Sequence, residues 1–219
     1  MLKDDQELKQ DIEAELSWDP KVTATQIGVT VDRGAVSLFG TVETYAQKWA
    51  AEAAVRRVRG VRAFAEELSV KPTAPHQRTD LELTTSVARA LAEHANVPDS
   101  VIAKVEQGWV TLYGEVSEQF QRQMAVALVG HLDGVLGVSN QISIGRKRIV
   151  SVGVGGISAA LRRRFGSGAD DITVTVEGTR VTLSGKVPTL RAAREARDAA
   201  WAAPGVSEVV DALETEKLA

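Results

Sequence analysis

Apolar residues recur at every fourth position in three separate, otherwise polar segments: Leu8, Ile12 and Leu16; Leu83, Val87 and Leu91; Ile157, Leu161 and Phe165. Each segment predicts a helix with one apolar stripe that must pack on another element. Behind each helix the period changes from four to two. Ile27, Val29 and Val31 alternate, as do Val101, Ala103 and Val105, then Ile172, Val174 and Val176. Alternation resumes past a glycine turn at Val36-x-Leu38-x-Gly40-x-Val42, Val110-x-Leu112-x-Gly114-x-Val116 and Val181-x-Leu183-x-Gly185-x-Val187. This pattern predicts a β-hairpin with one buried face. The third turn reads as one residue longer, at Thr179-Arg180.

A second helical stripe follows: Ala51, Ala54, Val55 and Val58; Ala125, Leu128, Val129 and Leu132; Ala196, Ala199, Ala200 and Ala203. Because the third stripe is all alanine, the third core is expected to be the least stable. A last alternating strand begins at Val61, Val135 and Val206.

Glycine pairs set 20 residues apart mark the three copies: Gly40/Gly60, Gly114/Gly134 and Gly185/Gly205, with intervals of 74 and then 71 residues. A fixed period of this kind signals a duplicated unit. The first glycine of each pair reads as the place where a helix comes close to the sheet, the second as the end of the second helix. The fold class is therefore α+β: three tandem αββαβ modules, each a three-stranded mixed sheet with two helices on one face. A right-handed crossover makes the second and third strands parallel. The modules are placed at residues 1–71, 76–145 and 150–219, joined by the stiff Lys71-Pro72-Thr73-Ala74-Pro75 segment and by a looser linker from Gly145 to Gly156.

A hydrophobic content of 44% and a charged content of 25% are ordinary for a globular protein. No apolar run reaches the roughly 18 residues that a membrane-spanning helix needs. The acidic start, without an apolar leader, and the absence of cysteine predict a cytoplasmic protein, or a periplasmic one only if the N-terminus is processed or truncated. Charge is uneven. Residues 72–145 carry eight acidic and four basic side chains, whereas residues 146–219 carry nine acidic and twelve basic.

Catalytic and metal-binding patterns are missing, so no catalytic residue, metal site or cofactor is expected. His76, His94 and His131 lie at unrelated positions without metal-ligand spacing. The acidic pair Asp170-Asp171 reads as turn residues, and Gly153-Val-Gly155-Gly156 lacks the lysine and spacing of a phosphate loop. Two features remain as candidate lipid or partner contacts. Tyr45 and Trp49 form an aromatic pair on the second helix of the first copy alone, where the other copies have Gln119 and Gln123, then Leu190 and Arg194. Arg162-Arg163-Arg164, with Arg146-Lys147-Arg148 upstream, makes the third copy basic. Packing against another module is the competing reading for the aromatic pair.

The strand glycines, the Gly-Val after each second helix and the apolar columns between them resemble the BON domain, a module named for bacterial osmotic-stress and nodulation proteins. The layout is most similar to OsmY-like soluble proteins with three tandem BON domains. This resemblance implies a non-enzymatic binding or scaffold role in osmotic or envelope stress. It implies, as alternatives, peripheral binding to anionic phospholipid or sensing of potassium or another small ligand. The expected partner is an unidentified protein or an anionic phospholipid surface, and nucleic acid is not expected.

Overall fold

A computed structural model describes residues 4–145 and 153–215. The first module runs α1 (Asp5–Trp18), β1 (Ile27–Asp32), β2 (Ala35–Val42), α2 (Tyr45–Arg57) and β3 (Ala63–Val70). The second runs α3 (Asp80–Ala92), β4 (Ile102–Glu106), β5 (Trp109–Val116), α4 (Gln119–Gly130) and β6 (Gly137–Ile144). The third runs α5 (Val154–Phe165), β7 (Ile172–Glu177), β8 (Arg180–Val187), α6 (Leu190–Trp201) and β9 (Glu208–Thr215). In each sheet the middle strand in space is the second in sequence. It pairs antiparallel with the first strand and parallel with the third.

Helix starts follow local chemistry. Asp4 and Thr79 each form a reciprocal capping box, with Glu7 and Glu82 respectively. Thr44 and Thr189 accept from the amides of Gln47 and Ala192 at the heads of α2 and α6. The cores are the predicted stripes. Leu8, Ile12 and Leu16 pack with Val36, Leu38, Ala51 and Val55; Leu83 and Val87 pack with Val110, Leu112 and Val129; Ile157 and Leu161 pack with Val181, Leu183, Ala196 and Ala200. Helix α5 begins at Val154, inside the segment expected to be a linker, with Gly153 as its N-cap.

The hairpin turns depart from expectation. All three contain two residues, because Asp32 pairs with Ala35, Glu106 with Trp109 and Glu177 with Arg180. The third turn is no longer than the others; its glycine has moved from the second turn position to the first. In the first two turns both residues have positive φ, 49° at Arg33 and 78° at Gly34, 49° at Gln107 and 76° at Gly108. This is the primed geometry that matches strand twist.

A side chain is unfavourable at the first of these positions, and an acidic residue from the first helix stabilises it there. Asp5 accepts from the amides of Arg33 and Gly34 at 2.7 and 3.0 Å. Asp80 accepts from those of Gln107 and Gly108 at 2.7 and 2.8 Å. In the third module Gly178 takes the first position unaided at φ 63°, and Val154 stands where the other modules have aspartate. Asp80→Ala is expected to destabilise the second module by about 1 kcal/mol. Adding Gln107→Gly should recover part of this loss. Urea melts of the single and double variants check both statements.

The paired glycines also act differently from the sequence reading. Gly40, Gly114 and Gly185 have φ near +120° (123°, 123° and 120°). The group pressed against each is a backbone carbonyl at the entry to the module's first strand: Gln26 and Asp171, one residue before it, and Ser100, two residues before it. No helix makes this approach. The second helices stop at Arg57, Gly130 and Trp201, before Gly60, Gly134 and Gly205. Those glycines instead turn the chain into the third strand with φ of 103°, 88° and 86°.

Candidate functional site

The three second helices meet one another, and corresponding halves of the helices make each contact. From α2, Tyr45 and Trp49 lie against Gly130 at the end of α4, and the Trp49 ring meets the His131 ring edge-on with centroids 6.4 Å apart. From α4, Gln123 donates to Asp198 of α6 at 3.2 Å, and the Arg122 guanidinium sits over the Trp201 ring at 5.3 Å. From α6, Leu190 packs on the core of the first module, while Arg191 and Arg194 face Ala53, Arg56 and Arg57 of α2 across a cleft.

The N-terminal half of each helix thus contacts the C-terminal half of the next, and the third contact returns to the first helix. Head-to-tail contacts of one type close into a ring when the rotation per step allows it. Here the ring is made within a single chain.

The aromatic pair singled out in the sequence therefore lies at a module junction. Tyr45 also packs on the core of the second module, its phenol beside the Val138 backbone. Burial holds that phenol above its usual range, and the neighbouring Glu52 carboxylate raises it further. Trp201 does double duty, filling space beside the alanine stripe and carrying Arg122. Burial of Arg122 lowers its affinity for its proton.

Glu52 sits on α2 beside this junction, 3.3 Å from Arg56. Burial is the leading cause that raises its carboxyl above the ordinary range, opposed by Arg56 and Lys48 and helped by Glu66. A carboxyl raised in the fold binds its proton more tightly there than in the unfolded chain. Folding stability is therefore gained as pH falls through the raised value and lost as pH rises past it. Glu52→Gln removes that loss. Its melting temperature is expected to exceed the parent's at neutral pH and to vary less with pH just above the ordinary carboxylate range. Thermal melts across about pH 4 to 8 measure this.

The three candidate arginines lie on the last turn of α5. Arg162 reaches Asp170 at 3.7 Å, and Arg164 donates to the Glu195 carbonyl oxygen at 3.2 Å. Arg163 and Arg164 border a groove of about 590 Å³ between α5 and the end of α6, floored by Gly156, Ile157, Ala160, Ala199 and Ala203. The groove follows from the alanine stripe: Ala199, Ala200 and Ala203 stand where the second module has Leu128, Val129 and Leu132. Arg146-Lys147-Arg148 lies outside the described residues.

The face of each sheet away from its helices is left open. In the first module it carries Phe39, whose ring lies over Gly28. In the second it carries Ile102, 62% exposed, opposite Tyr113 on the adjacent strand, and Trp109, 49% exposed. The Trp109 ring lies over Gly137, and its indole N–H donates to Ser139 at 2.9 Å. The third module offers Thr173, Thr175 and Thr182 instead.

Some residues that matter were missed in the sequence. Glu66, Asn140 and Asp211 each accept, through the side chain, the amide two residues further on in the third strand. Those amides belong to Leu68, Ile142 and Leu213, the register partners of Gly40, Gly114 and Gly185. An acidic or amide side chain at the same offset in all three copies was the available signal. His76, bonded to Asp133 at 2.7 Å beside Arg78, ties the linker to the turn after α4. Among the described residues no three His, Cys, Asp or Glu side chains are grouped to hold a metal ion, and no helix is long and apolar enough to cross a membrane.

A family model described as BON domain matches residues 4–72, 79–146 and 155–217. The osmotically-inducible protein Y of Escherichia coli (strain K12) is 29% identical over 147 residues, covering 64% of this chain and 72% of that protein. Among solved structures, the C-terminal domain of CdsD, a structural protein of the type III secretion system of Chlamydia trachomatis, aligns over 98% of this chain and 100% of its own. Its identity is 16% and its TM-score 0.26. The PrgH periplasmic domain aligns over 87% of this chain and 95% of its own with 11% identity and a TM-score of 0.20. Scores this low carry no inference beyond the alignment itself.

Proposed function

The chain belongs to the BON domain family, with three copies in tandem, and from that premise we propose that it is a non-enzymatic binding or scaffold protein of the osmotic or envelope stress response. The likeness to an osmotically inducible protein carries the stress assignment. The geometry supports the scaffold part. Joining the modules through their second helices engages those helices with one another and leaves the open sheet faces for partners, where Ile102, Tyr113 and Trp109 lie close together. Exposed aromatics ringed by polar residues are the usual mark of an interaction surface.

A deletion strain grown through a hyperosmotic shift tests this role. Slower recovery that is restored by the parent gene and not by Ile102→Asp/Trp109→Ala is the expected outcome. Normal recovery of the deletion strain under osmotic and envelope stress alike overturns it.

A second reading is peripheral binding to anionic phospholipid, favoured by Arg163 and Arg164 at the rim of the Gly/Ala groove. Basic side chains beside an apolar slot suit an anionic head and an acyl chain. In this reading the arginines supply the contact, because Tyr45 and Trp49 are engaged at the α2–α4 junction. Co-sedimentation with anionic vesicles should fall sharply on Arg163→Glu/Arg164→Glu. Equal binding to neutral vesicles contradicts it.

A further inference from the structure

One register position sets the three sheets apart. The residue that opens the second strand and its partner on the third are Ala35 and Ala63 in the first module, Trp109 and Gly137 in the second, and Arg180 and Glu208 in the third. The fold is satisfied there by two small side chains, or by the Arg180–Glu208 ion pair at 2.8 Å. It does not require an exposed indole on a glycine.

In the second module that indole is held as a plate. Three adjacent carbons of its six-membered ring crowd the point that a Cβ on Gly137 would occupy, at nearly equal distances, so one ring face lies flat on the glycine. The indole N–H donates to Ser139 at 2.9 Å and fixes the ring's rotation. The other ring face is left to solvent. Tyr113 stands on the same face of β5, opposite Ile102 and beside Gln141, with only the row of Lys104, Thr111 and Ser139 between it and Trp109. The side chains of Thr111 and Gln141 keep their hydrogen-bonding groups unpaired among the described residues.

Charge and size narrow what can bind. Lys104 is paired with Glu106 at 2.9 Å, and residues 72–145 carry eight acidic against four basic side chains. A polyanion is therefore repelled, although nucleobases also stack on aromatic rings. Three strands spaced as in any sheet, the longest of eight residues, make a face of roughly 400 Å². A stable protein interface buries about 800 Å² per partner. The occupant that fits is small, uncharged, flat on one side and rich in hydrogen-bonding groups.

We infer that the open sheet face of the second module binds a neutral oligosaccharide, with one sugar ring stacked on Trp109 and the chain running along β5 towards Tyr113. The C–H bonds on one side of a pyranose ring carry partial positive charge and suit the negative face of an aromatic ring. Its hydroxyls pair with the hydroxyl and amide side chains along the strand. A ring already pinned loses little freedom on binding. The inference rests on the reading of the open sheet face as the binding surface and names the class of partner it takes.

Two-dimensional NMR of the full chain titrated with chitotetraose tests this. The Trp109 indole resonance and those of Thr111 and Gln141 are expected to shift saturably, and chitobiose, too short to reach both rings, should bind more weakly. Trp109→Ala should weaken binding about tenfold. Ser139→Ala, which only unpins the indole, should weaken it by a smaller factor. Trp18→Ala, at an exposed indole on α1, should leave it unchanged. No saturable shift overturns the inference, as does an equal loss in Trp18→Ala or tighter binding of oligothymidylate than of chitotetraose. If no saccharide binds while Ile102→Asp/Trp109→Ala still fails to restore the deletion strain, the sugar is wrong and the sheet-face reading stands. Saccharide binding alongside normal recovery of the deletion strain supports the site and removes the stress role.

Discussion

Gly114→Ala is expected to destabilise the second module by about 4 kcal/mol. Two costs combine. At φ 123° an L side chain is strained whatever surrounds it, and the new Cβ would be driven into the Ser100 carbonyl oxygen. Backbone cannot rotate aside as a flexible side chain can, so the first strand must shift. That shift disturbs the Ile102–Tyr113 pairing next to it. Urea unfolding followed by circular dichroism measures the loss. Gly153→Ala serves as the control, since nothing lies within 4 Å of its would-be Cβ. An effect of Gly114→Ala no larger than that of the control contradicts the assignment of this glycine to a backbone contact.

Tyr45→Ala is expected to cost about 3 kcal/mol and to uncouple the first two modules. The ring packs on the second module's core and stands 6.0 Å from Trp49. Truncation leaves a cavity between modules. Because the lost contacts join modules, one cooperative transition in denaturant should separate into two. A single transition with an unchanged midpoint contradicts a coupling role. Tyr45→Phe keeps the packing and loses only the hydroxyl contact, so it should cost about 1 kcal/mol.

Much of this was legible in the chain. The stripe Leu8, Ile12 and Leu16, and its counterparts, could face only one way on a helix of 3.6 residues per turn. The alternation of Val36, Leu38 and Val42 could bury only one sheet face. The third hairpin turn was misread because glycine position was taken as a measure of loop length. Strand register shows that Gly178 moved within a turn of constant length, and that Asp5 and Asp80 are needed only where Arg33 and Gln107 occupy the position. The contact behind Gly40, Gly114 and Gly185 was attributed to a helix, because sequence can report that room is needed without reporting which atoms need it.

The sequence by itself determined three α+β modules, their element order and the family they belong to, since short-range periodicity and repetition are local properties of the chain. Only the tertiary structure decided how the modules meet. Tyr45 and Trp49, Gln119 and Gln123, and Leu190 and Arg194 occupy the same positions in three copies and share no common chemistry, so no pattern marks them as one type of contact. Each is defined by the surface opposite it, on a helix that starts 74, 71 or 145 residues away in the chain (119−45, 190−119 and 190−45). Pairings over that distance are fixed by shape and charge in three dimensions, and the arginine-lined cleft between α2 and α6 exists only once the ring has closed.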